Sequence, residues 1–214
     1  MTNETNETNE TNETNEPNET NEPHVRTMRE GYQRTGLINL IKYIEDLDMK
    51  NIIMAEIGCY QGESTEIFCQ SEKIQTIYGI DPWNMFGGGK RQGFRLHDLV
   101  AVEKAFDNRV APYNKVIKIK NSSENAIDLI DDNSLDLVYI DGNHSYHDVK
   151  KDIQWWTLKL KDNGYLAGHD YNRRGIHRAL AICVGEVEQV FDDTSWIVAK
   201  KNVKFYLKKQ EHSV

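Results

Sequence analysis

Hydrophobic and polar positions follow two different periodicities along the chain, and these predict its secondary structure. Short, largely apolar runs recur at 52–57, 76–80, 115–119, 135–140 and 164–167. Such runs are typical of strands buried on both faces of a parallel sheet. Apolar residues at three- and four-residue spacing predict helices over about 35–50, 63–71, 96–106, 124–130, 149–160 and 175–188. Two more short strands are expected around 188–191 and 195–199.

The alternation of strands and helices predicts an α/β fold. We expect a Rossmann-like, doubly wound, mainly parallel seven-stranded sheet with helices on both faces. Right-handed crossovers place the carboxyl ends of the parallel strands along one edge, where open sheets bind ligands. The residues expected at that edge are Glu56, Asp81, Lys120, Asp141 and Asp170. Four acidic side chains should therefore converge where a ligand binds.

Most of the net charge belongs to the first residues of the chain. The formal net charge is -8, from 26 Lys+Arg and 34 Asp+Glu. Residues 2–22 repeat the triplets TNE and PNE and contain seven Glu and no basic residue, which leaves 27 acidic and 26 basic residues elsewhere. A segment of this composition buries too little apolar surface to offset its chain entropy. We predict a disordered, low-complexity tail over 1–22 and one domain over 23–214, with a helical segment at 23–50 and a core at 51–200.

This charge distribution excludes some classes of partner. A nearly neutral domain is not a strongly basic nucleic-acid-binding domain, and no stretch approaches the roughly 20 apolar residues that span a bilayer. The N-terminus lacks the basic and apolar regions of a secretory signal. Cys59, Cys69 and Cys183 show no CxxC spacing. We therefore expect a cytoplasmic protein with reduced thiols and neither nucleic-acid nor membrane partners.

The loop after the first predicted strand, with the sequence EIGCYQGES, carries the first chemical signal. Gly58 and Gly62 allow a tight turn and close approach of a ligand to the backbone. The middle glycine of the dinucleotide fingerprint and the phosphate-binding GxxxxGK[ST] motif are both absent. Glu56 and Glu63 have no adjacent basic residue, so a cationic or zwitterionic ligand suits the loop better than a pyrophosphate. Asp81, at the end of the second strand, is placed to accept both hydroxyls of a ribose.

These motifs resemble those of the class I S-adenosylmethionine-dependent methyltransferases. The loop AEIGCYQGES is similar to their E/D-x-G-x-x-x-G motif, and YGIDPW to the acidic end of their second strand. Residues 135–171 resemble a subgroup whose fourth strand ends in IDG-x-H and whose fifth strand ends in HD. In that subgroup two glycines occur in the turn before the HD, and in this chain Tyr165 replaces the second of them. The resemblance spans about residues 50–200 and implies that this core binds S-adenosylmethionine (SAM) as methyl donor.

The resemblance also implies roles for individual residues at the cofactor edge. Gly58 and Gly62 would line the methionine portion of SAM, with Glu56 near its ammonium group. Asp81 would hold the ribose hydroxyls, and Trp83 would flank the adenine.

Ser122 and Ser123, after the third strand, correspond to residues that approach the adenine edge, although serines there also suit a helix N-cap. Asp141 would lie beside the methyl donor and the acceptor. The sulfonium already activates the methyl group, so the protein must align the reactants and remove a proton from the acceptor. His144 and His169 are the candidate bases because histidine titrates near neutrality.

A metal ion offers a competing mechanism. Asp141 and Asp170 lie at the ends of successive strands and could share one Mg²⁺. The related catechol-type and sugar-modifying methyltransferases use two acids at these places and an Asp or Asn directly after the second. Here Tyr171 follows Asp170, and Asn172 comes one residue later.

Acceptor binding should fall to three variable segments, 24–34, 82–93 and 172–174. The middle one contains three successive glycines, which suits either a mobile lid or a plain surface loop. We expect O-methylation of a small molecule or of a sugar or glycan precursor, and a homodimer is one possible assembly. The alternatives are an NAD- or nucleotide-sugar-dependent oxidoreductase, which the incomplete fingerprint disfavours, and a non-catalytic cofactor-binding interaction module.

Overall fold

The computed structural model of the protein describes residues 29–83 and 96–204. Its helices are α1 (Gly31–Asp46), α2 (Glu63–Cys69), α3 (Leu96–Val110), α4 (Ser123–Ala126), α5 (Tyr146–Lys159) and α6 (Arg174–Cys183). Its strands are β1 (Ile52–Ile57), β2 (Ile74–Asp81), β3 (Val116–Lys120), β4 (Leu135–Ile140), β5 (Leu160–Gly168), β6 (Gln189–Val190) and β7 (Trp196–Ala199). Two short 3-10 helices cover Ile127–Leu129 and Lys200–Asn202.

The seven strands form one sheet in the order β3-β2-β1-β4-β5-β7-β6. Strands β1 to β5 pair in parallel, whereas β7 is antiparallel to both β5 and β6. The predicted fold class, with its mainly parallel seven-stranded sheet, is confirmed. The strand order reverses between β1 and β4, and this switch point is where doubly wound sheets bind their ligands.

The central strands send alternate side chains into two cores on opposite faces of the sheet. In β4, Leu137 and Tyr139 join the core formed with α1 and α2, whereas Val138 and Ile140 join the core formed with α5 and α6. All four side chains are buried. Burial on both faces explains why these strands read as continuous apolar runs in the sequence.

Several element boundaries differ from the sequence prediction by a few residues, and two of these differences have a clear structural reason. Helix α6 ends at Cys183 because Gly185 adopts a left-handed conformation (φ +96°) and donates its N–H to the carbonyl of Leu180, which closes the helix. Strand β5 begins at Leu160 rather than at Gly164. Its pairing with β4 shifts register after the first residue, and the polar residues within that irregularity hid the start of the strand.

Several sequence predictions concern residues outside the described part of the chain. The tail at 1–22 lies outside it, as does most of the 82–93 segment, since residues 84–95 are not described. The disordered tail, the lid and the division into tail and domain therefore stay predictions. Among the helices of residues 29–83 and 96–204, none has the length and apolar character needed to cross a membrane.

Candidate functional site

A cavity of about 570 Å³ opens at the switch point of the sheet. Its walls come from the loop after β1, the end of β2, the loops after β4 and β5, and the residues before α1. The lining residues that matter here are Arg29, Gly58, Asp81, Trp83, Asp141, His144, His169, Asp170 and Arg173. The structure thus brings together most of the residues that the sequence placed at this edge.

The loop after β1 turns tightly because its two predicted glycines adopt left-handed conformations. Gly58 has φ +92° and Gly62 has φ +81°. A Cβ atom on Gly58 would lie 2.4 Å from the carbonyl oxygen of Asp141, so the loops after β1 and β4 are in direct backbone contact. Gly62 is the N-cap residue of α2, and a Cβ there would lie 2.9 Å from the ring of Phe106. Gly58 lines the cavity, whereas Gly62, beside Phe106, is not among the lining residues.

Asp81 and Trp83 form a polar corner with an aromatic wall at the end of β2. The Asp81 carboxylate accepts the backbone N–H of Tyr60 at 3.0 Å and that of Trp83 at 2.8 Å, and these two donors fix its direction. The Trp83 ring packs on Phe106 with centroids 4.9 Å apart and donates its indole N–H to the Tyr60 carbonyl at 2.8 Å. This geometry is compatible with the predicted roles of Asp81 at a ribose and of Trp83 beside an adenine.

Glu56 lies beneath the cavity rather than in its lining. The residue is fully buried, and its carboxylate accepts the hydroxyls of Ser64 and Thr65 in the first turn of α2, the latter at 2.6 Å. Burial raises the pKa of Glu56 to about 7, although the two hydroxyls and Arg29 act in the opposite direction. Glu56 therefore anchors α2 to β1, and its contact with the donor's ammonium group stays a prediction.

We expect Glu56→Gln to make the protein's stability less sensitive to a rise in pH from about 4 to about 8. The folded-state pKa of about 7 lies above the ordinary value of 4.5, so the wild type loses stability as the pH rises from the lower value through the higher one. A neutral glutamine has no such loss. Between about pH 4 and about pH 8, the difference in unfolding free energy should shift in favour of the variant by up to about 3 kcal/mol. Urea unfolding at both pH values measures this shift, and a pH-independent difference would contradict it.

The two serines after β3 support α4 and its contact with α5. Ser122 is the N-cap of α4, and its hydroxyl accepts the N–H of Asn125 at 3.2 Å. Ser123 donates its hydroxyl to Asp152 and accepts the indole N–H of Trp156 at 2.8 Å. Neither serine is among the residues that line the cavity. Ser122 thus has the helix-capping role and Ser123 joins α4 to α5, while the approach of either serine to an adenine stays a prediction.

His144 and Asp170 form a hydrogen-bonded pair that faces the cavity. His144 Nε2 lies 2.9 Å from Asp170 Oδ2. This hydrogen bond raises the pKa of His144. Burial raises the pKa of Asp170, but the bond from His144 and the nearby charges of His169, His144 and Arg173 together outweigh it, so that the pKa of this carboxyl is lowered. Asp170 also has φ +58°, in the left-handed region that non-glycine residues adopt uncommonly, Asp and Asn most often among them.

His169, the second candidate base, is more enclosed than His144. Its Nδ1 lies 3.7 Å from Asp141 Oδ1 and 3.5 Å from Asp170 Oδ1, and its Nε2 lies 3.9 Å from Asp193 Oδ2. Nε2 is buried and forms no hydrogen bond with the described residues. His169 thus lies among three carboxylates, with 13% of its side chain exposed against 33% for His144.

Arg29 and Asp193 enter the site without having been singled out by the sequence. Arg29 Nη2 donates to Asp141 Oδ2, and Nη1 lies 3.7 Å from Asp193 Oδ2. The backbone N–H of Arg29 donates to Glu63 Oε2 at 3.1 Å. Asp193, in the turn between β6 and β7, is fully buried and accepts both the N–H and the hydroxyl of Ser195. No motif or periodicity marks either residue, because each acts through contacts with distant parts of the chain.

Asp141, His144 and Asp170 form a group that could hold a metal ion, with ligand atoms within 4.8 Å of one another. The group suits Mg²⁺ poorly, because Mg²⁺ prefers oxygen ligands in a strict octahedron and one donor here is an imidazole. Arg29 is paired with Asp141, and His144 with Asp170. Asn172, the asparagine that follows Asp170 by two positions, lines a neighbouring depression and is not among the residues of the main cavity. We therefore derive no step of the reaction through Mg²⁺.

Comparison with curated proteins finds relatives that share part of this chain. Residues 55–171, more than half of the chain, match a family model described as a methyltransferase domain. The uncharacterized protein y4gI of Sinorhizobium fredii (strain NBRC 101917 / NGR234) is 30% identical over 121 residues, which cover 55% of this chain and 13% of that protein. The uncharacterized protein R132 of Acanthamoeba polyphaga mimivirus is 26% identical over 143 residues, which cover 63% and 57%. The chain thus spans less than two thirds of the length of either relative.

Two solved structures share the fold across most of both chains. CalS11, a calicheamicin methyltransferase, superposes with a TM-score of 0.55 at 13% identity and covers 80% of each chain. Cofactor-bound Rv0187 from MTB superposes with a TM-score of 0.54 at 15% identity and covers 84% of each. At these identities the likeness shows the fold, while the family match shows the class of enzyme. The chain belongs to the methyltransferase-domain family and has the fold of the class I SAM-dependent methyltransferases, which confirms the resemblance seen in its sequence.

Proposed function

We propose that this protein transfers a methyl group from SAM to a hydroxyl oxygen of a small molecule or of a sugar or glycan precursor. The observation that carries the proposal is the His144–Asp170 pair, which faces the same cavity as the Asp81 corner. A proton acceptor and a ribose acceptor in one cavity suit a methyltransferase that deprotonates a hydroxyl. A sugar acceptor is supported by CalS11, which is described as a TDP-rhamnose 3'-O-methyltransferase.

The cavity residues suit the cofactor. When bound, SAM supplies a methyl group that its sulfonium already activates. Asp81 would accept the ribose hydroxyls, and Trp83 would cover the adenine. Gly58, which has no side chain, would let the methionine portion approach the backbone, beside Asp141.

A second depression, of about 370 Å³, adjoins the cavity and is the place we assign to the acceptor. It shares His169 and Asp170 with the cavity, so a molecule bound there would reach the methyl donor. Its other lining residues are Tyr32, Gln33, Asn172, Arg173, Asp193 and Thr194. They include members of two of the three segments that the sequence assigns to the acceptor, 24–34 and 172–174.

His144, which lines the cavity but not the depression, would accept the proton of an acceptor hydroxyl that reaches past the shared Asp170 into the cavity. Asp170 holds its Nε2, which leaves Nδ1 as the nitrogen that receives the proton. The carboxylate then stabilises the imidazolium that forms, and it keeps the ring oriented meanwhile. His169, with its smaller exposed fraction, would help to place the carboxylates around it. The acceptor's identity, the cytoplasmic location, the lack of nucleic-acid or membrane partners and the possible homodimer stay predictions.

Binding and transfer experiments test this function in sequence. Calorimetry should show that SAM and S-adenosylhomocysteine (SAH) bind at sub-millimolar concentrations and that NAD, the control ligand, does not. Failure of both sulfur compounds to bind would overturn the proposal. Transfer of a labelled methyl group from SAM into a panel of small hydroxylated metabolites and nucleotide sugars would then identify the acceptor, and EDTA should leave that transfer intact.

Asp170→Asn should move the acidic limb of the pH–rate profile to lower pH. A general base works in its neutral form, so kcat/KM rises with pH through the pKa of His144. Asp170 raises that pKa by its hydrogen bond, and the amide removes most of this effect. The profile is measured with the acceptor found in the screen. Asp148→Asn, at a partly exposed acid in the first turn of α5, is the control and should leave the limb in place. An unmoved limb in Asp170→Asn would exclude His144 as the base.

A further inference from the structure

We propose that the guanidinium of Arg29 is the resident cation of this site: it occupies the position at Asp141 that a divalent metal ion would need, so that Arg29 and such an ion exclude each other. The inference concerns the same cavity as the proposed function. It does not depend on turnover, because the competition between the two cations can be measured by binding alone.

The guanidinium of Arg29 lies between two acids from different loops. Nη2 donates to Asp141, in the loop after β4, and Nη1 lies 3.7 Å from Asp193, in the turn between β6 and β7. The exposed fractions of these side chains are only 9% for Arg29, 16% for Asp141 and 0% for Asp193. Buried carboxylates require a counter-ion, and the chain itself supplies one here.

This cation is permanently charged and covalently tethered to the chain. Burial lowers the pKa of Arg29, but four neighbouring groups together raise it by more than burial lowers it: Tyr139, Asp141, Glu56 and Asp193. The net pKa is therefore raised, and the side chain keeps its charge. Its backbone N–H is bonded to Glu63, which holds the start of α1 against the cavity. A tethered cation acts at a high effective concentration, which a free ion must overcome.

The candidate metal ligands of the site already have partners within the protein. Asp141 Oδ2 accepts Arg29, while its Oδ1 lies 3.7 Å from His169 Nδ1. The other two candidate ligands, His144 and Asp170, are bonded to each other. An entering ion would have to break both pairs before it could be coordinated. The role that a metal has beside an acidic pair thus falls to Arg29, which neutralises Asp141 and fixes its direction.

Titration with Mn²⁺ tests the competition, because this ion accepts both imidazole and carboxylate ligands and its binding is followed by electron paramagnetic resonance. Arg29→Gln should bind Mn²⁺ at least about 10-fold more tightly than the wild type, since it frees Asp141 and removes an opposing charge. The matched control is Arg173→Gln. That guanidinium lies 3.7 Å from Asp170 but is 63% exposed, so its loss removes the same charge while Asp170 stays bonded to His144. The control should change the affinity by less than about 3-fold.

The outcomes separate competition from general electrostatics. Equal changes in Mn²⁺ affinity in Arg29→Gln and Arg173→Gln would mean that Arg29 acts only through its net charge, and this would overturn the proposal. Tight Mn²⁺ binding to the wild type, or no Mn²⁺ binding to Arg29→Gln, would also overturn it. Arg29→Lys keeps the positive charge on a side chain too short to bridge Asp141 and Asp193. Its affinity for Mn²⁺ should therefore lie between those of the wild type and of Arg29→Gln. Arg29→Lys is the variant to use if Arg29→Gln does not fold. SAH affinity, measured on the same samples, reports on the proposed function separately.

Discussion

Asp81→Ala should raise the dissociation constants for SAM and SAH at least about 100-fold. The carboxylate is the acceptor that the site offers to the two ribose hydroxyls, and a hydrogen bond to a charged group contributes roughly 1.5–3 kcal/mol. The substitution also removes the partner that the N–H groups of Tyr60 and Trp83 share, which loosens the corner around the ligand. Calorimetry with SAH measures the change. The variant Asp81→Asn keeps one acceptor oxygen, so its dissociation constant should lie between those of the wild type and of Asp81→Ala.

Asp136→Ala provides a matched control for the loss of a buried carboxylate. Asp136 and Asp81 are both 7% exposed, and Asp136 likewise accepts a backbone N–H, that of Ile53 at 2.9 Å. It lies in the first half of β4, however, at the opposite edge of the sheet from the cavity. Its variant should melt at a lower temperature and keep its affinity for SAH within about 3-fold. If Asp81→Ala also kept its affinity, the ribose assignment would be wrong.

Local sequence pattern was enough to predict the sheet and its ligand-binding edge. β1 and β4 were found because strands covered on both faces must be apolar at nearly every position, and this pattern is visible within six residues. The loop after β1 was recognisable because a left-handed turn beside another backbone requires glycine, as Gly58 shows. Asp81 followed from topology, which makes every parallel strand end at the same edge.

The parts of the site that the sequence did not reveal depend on long-range contacts or on the direction of a side chain. Arg29 meets Asp141 across 112 positions of the chain, and no periodicity encodes such a contact. The family resemblance placed Glu56 near the ammonium group of SAM, whereas the structure shows its carboxylate accepting the hydroxyls of Ser64 and Thr65 in α2. The pairing of His144 with Asp170 required the actual paths of two loops, although each residue was identified separately.

Gly58→Ala should destabilise the protein by about 4 kcal/mol and abolish SAH binding. A φ of +92° is unfavourable for alanine, at a cost of roughly 1–2 kcal/mol. In addition, the new methyl group would lie 2.4 Å from the Asp141 carbonyl oxygen and 2.6 Å from the Gly142 Cα. Backbone cannot move aside as a flexible side chain can, and overpacking of this kind costs roughly 1–3 kcal/mol or more. Relief of the clash would have to separate the loops after β1 and β4, which together form the floor of the cavity.

Gly142→Ala is the informative comparison, because it adds the same methyl group to the opposite side of the same loop contact. Its Cβ would meet nothing closer than the Ile57 carbonyl oxygen at 3.7 Å, an ordinary van der Waals distance, and its φ lies outside the left-handed region. We expect its unfolding free energy to change by less than about 1 kcal/mol. Urea unfolding and SAH calorimetry on both variants decide the matter. Similar losses in the two would show that any added bulk disturbs this contact, whereas a loss confined to Gly58→Ala ties cofactor binding to the close approach of these two loops.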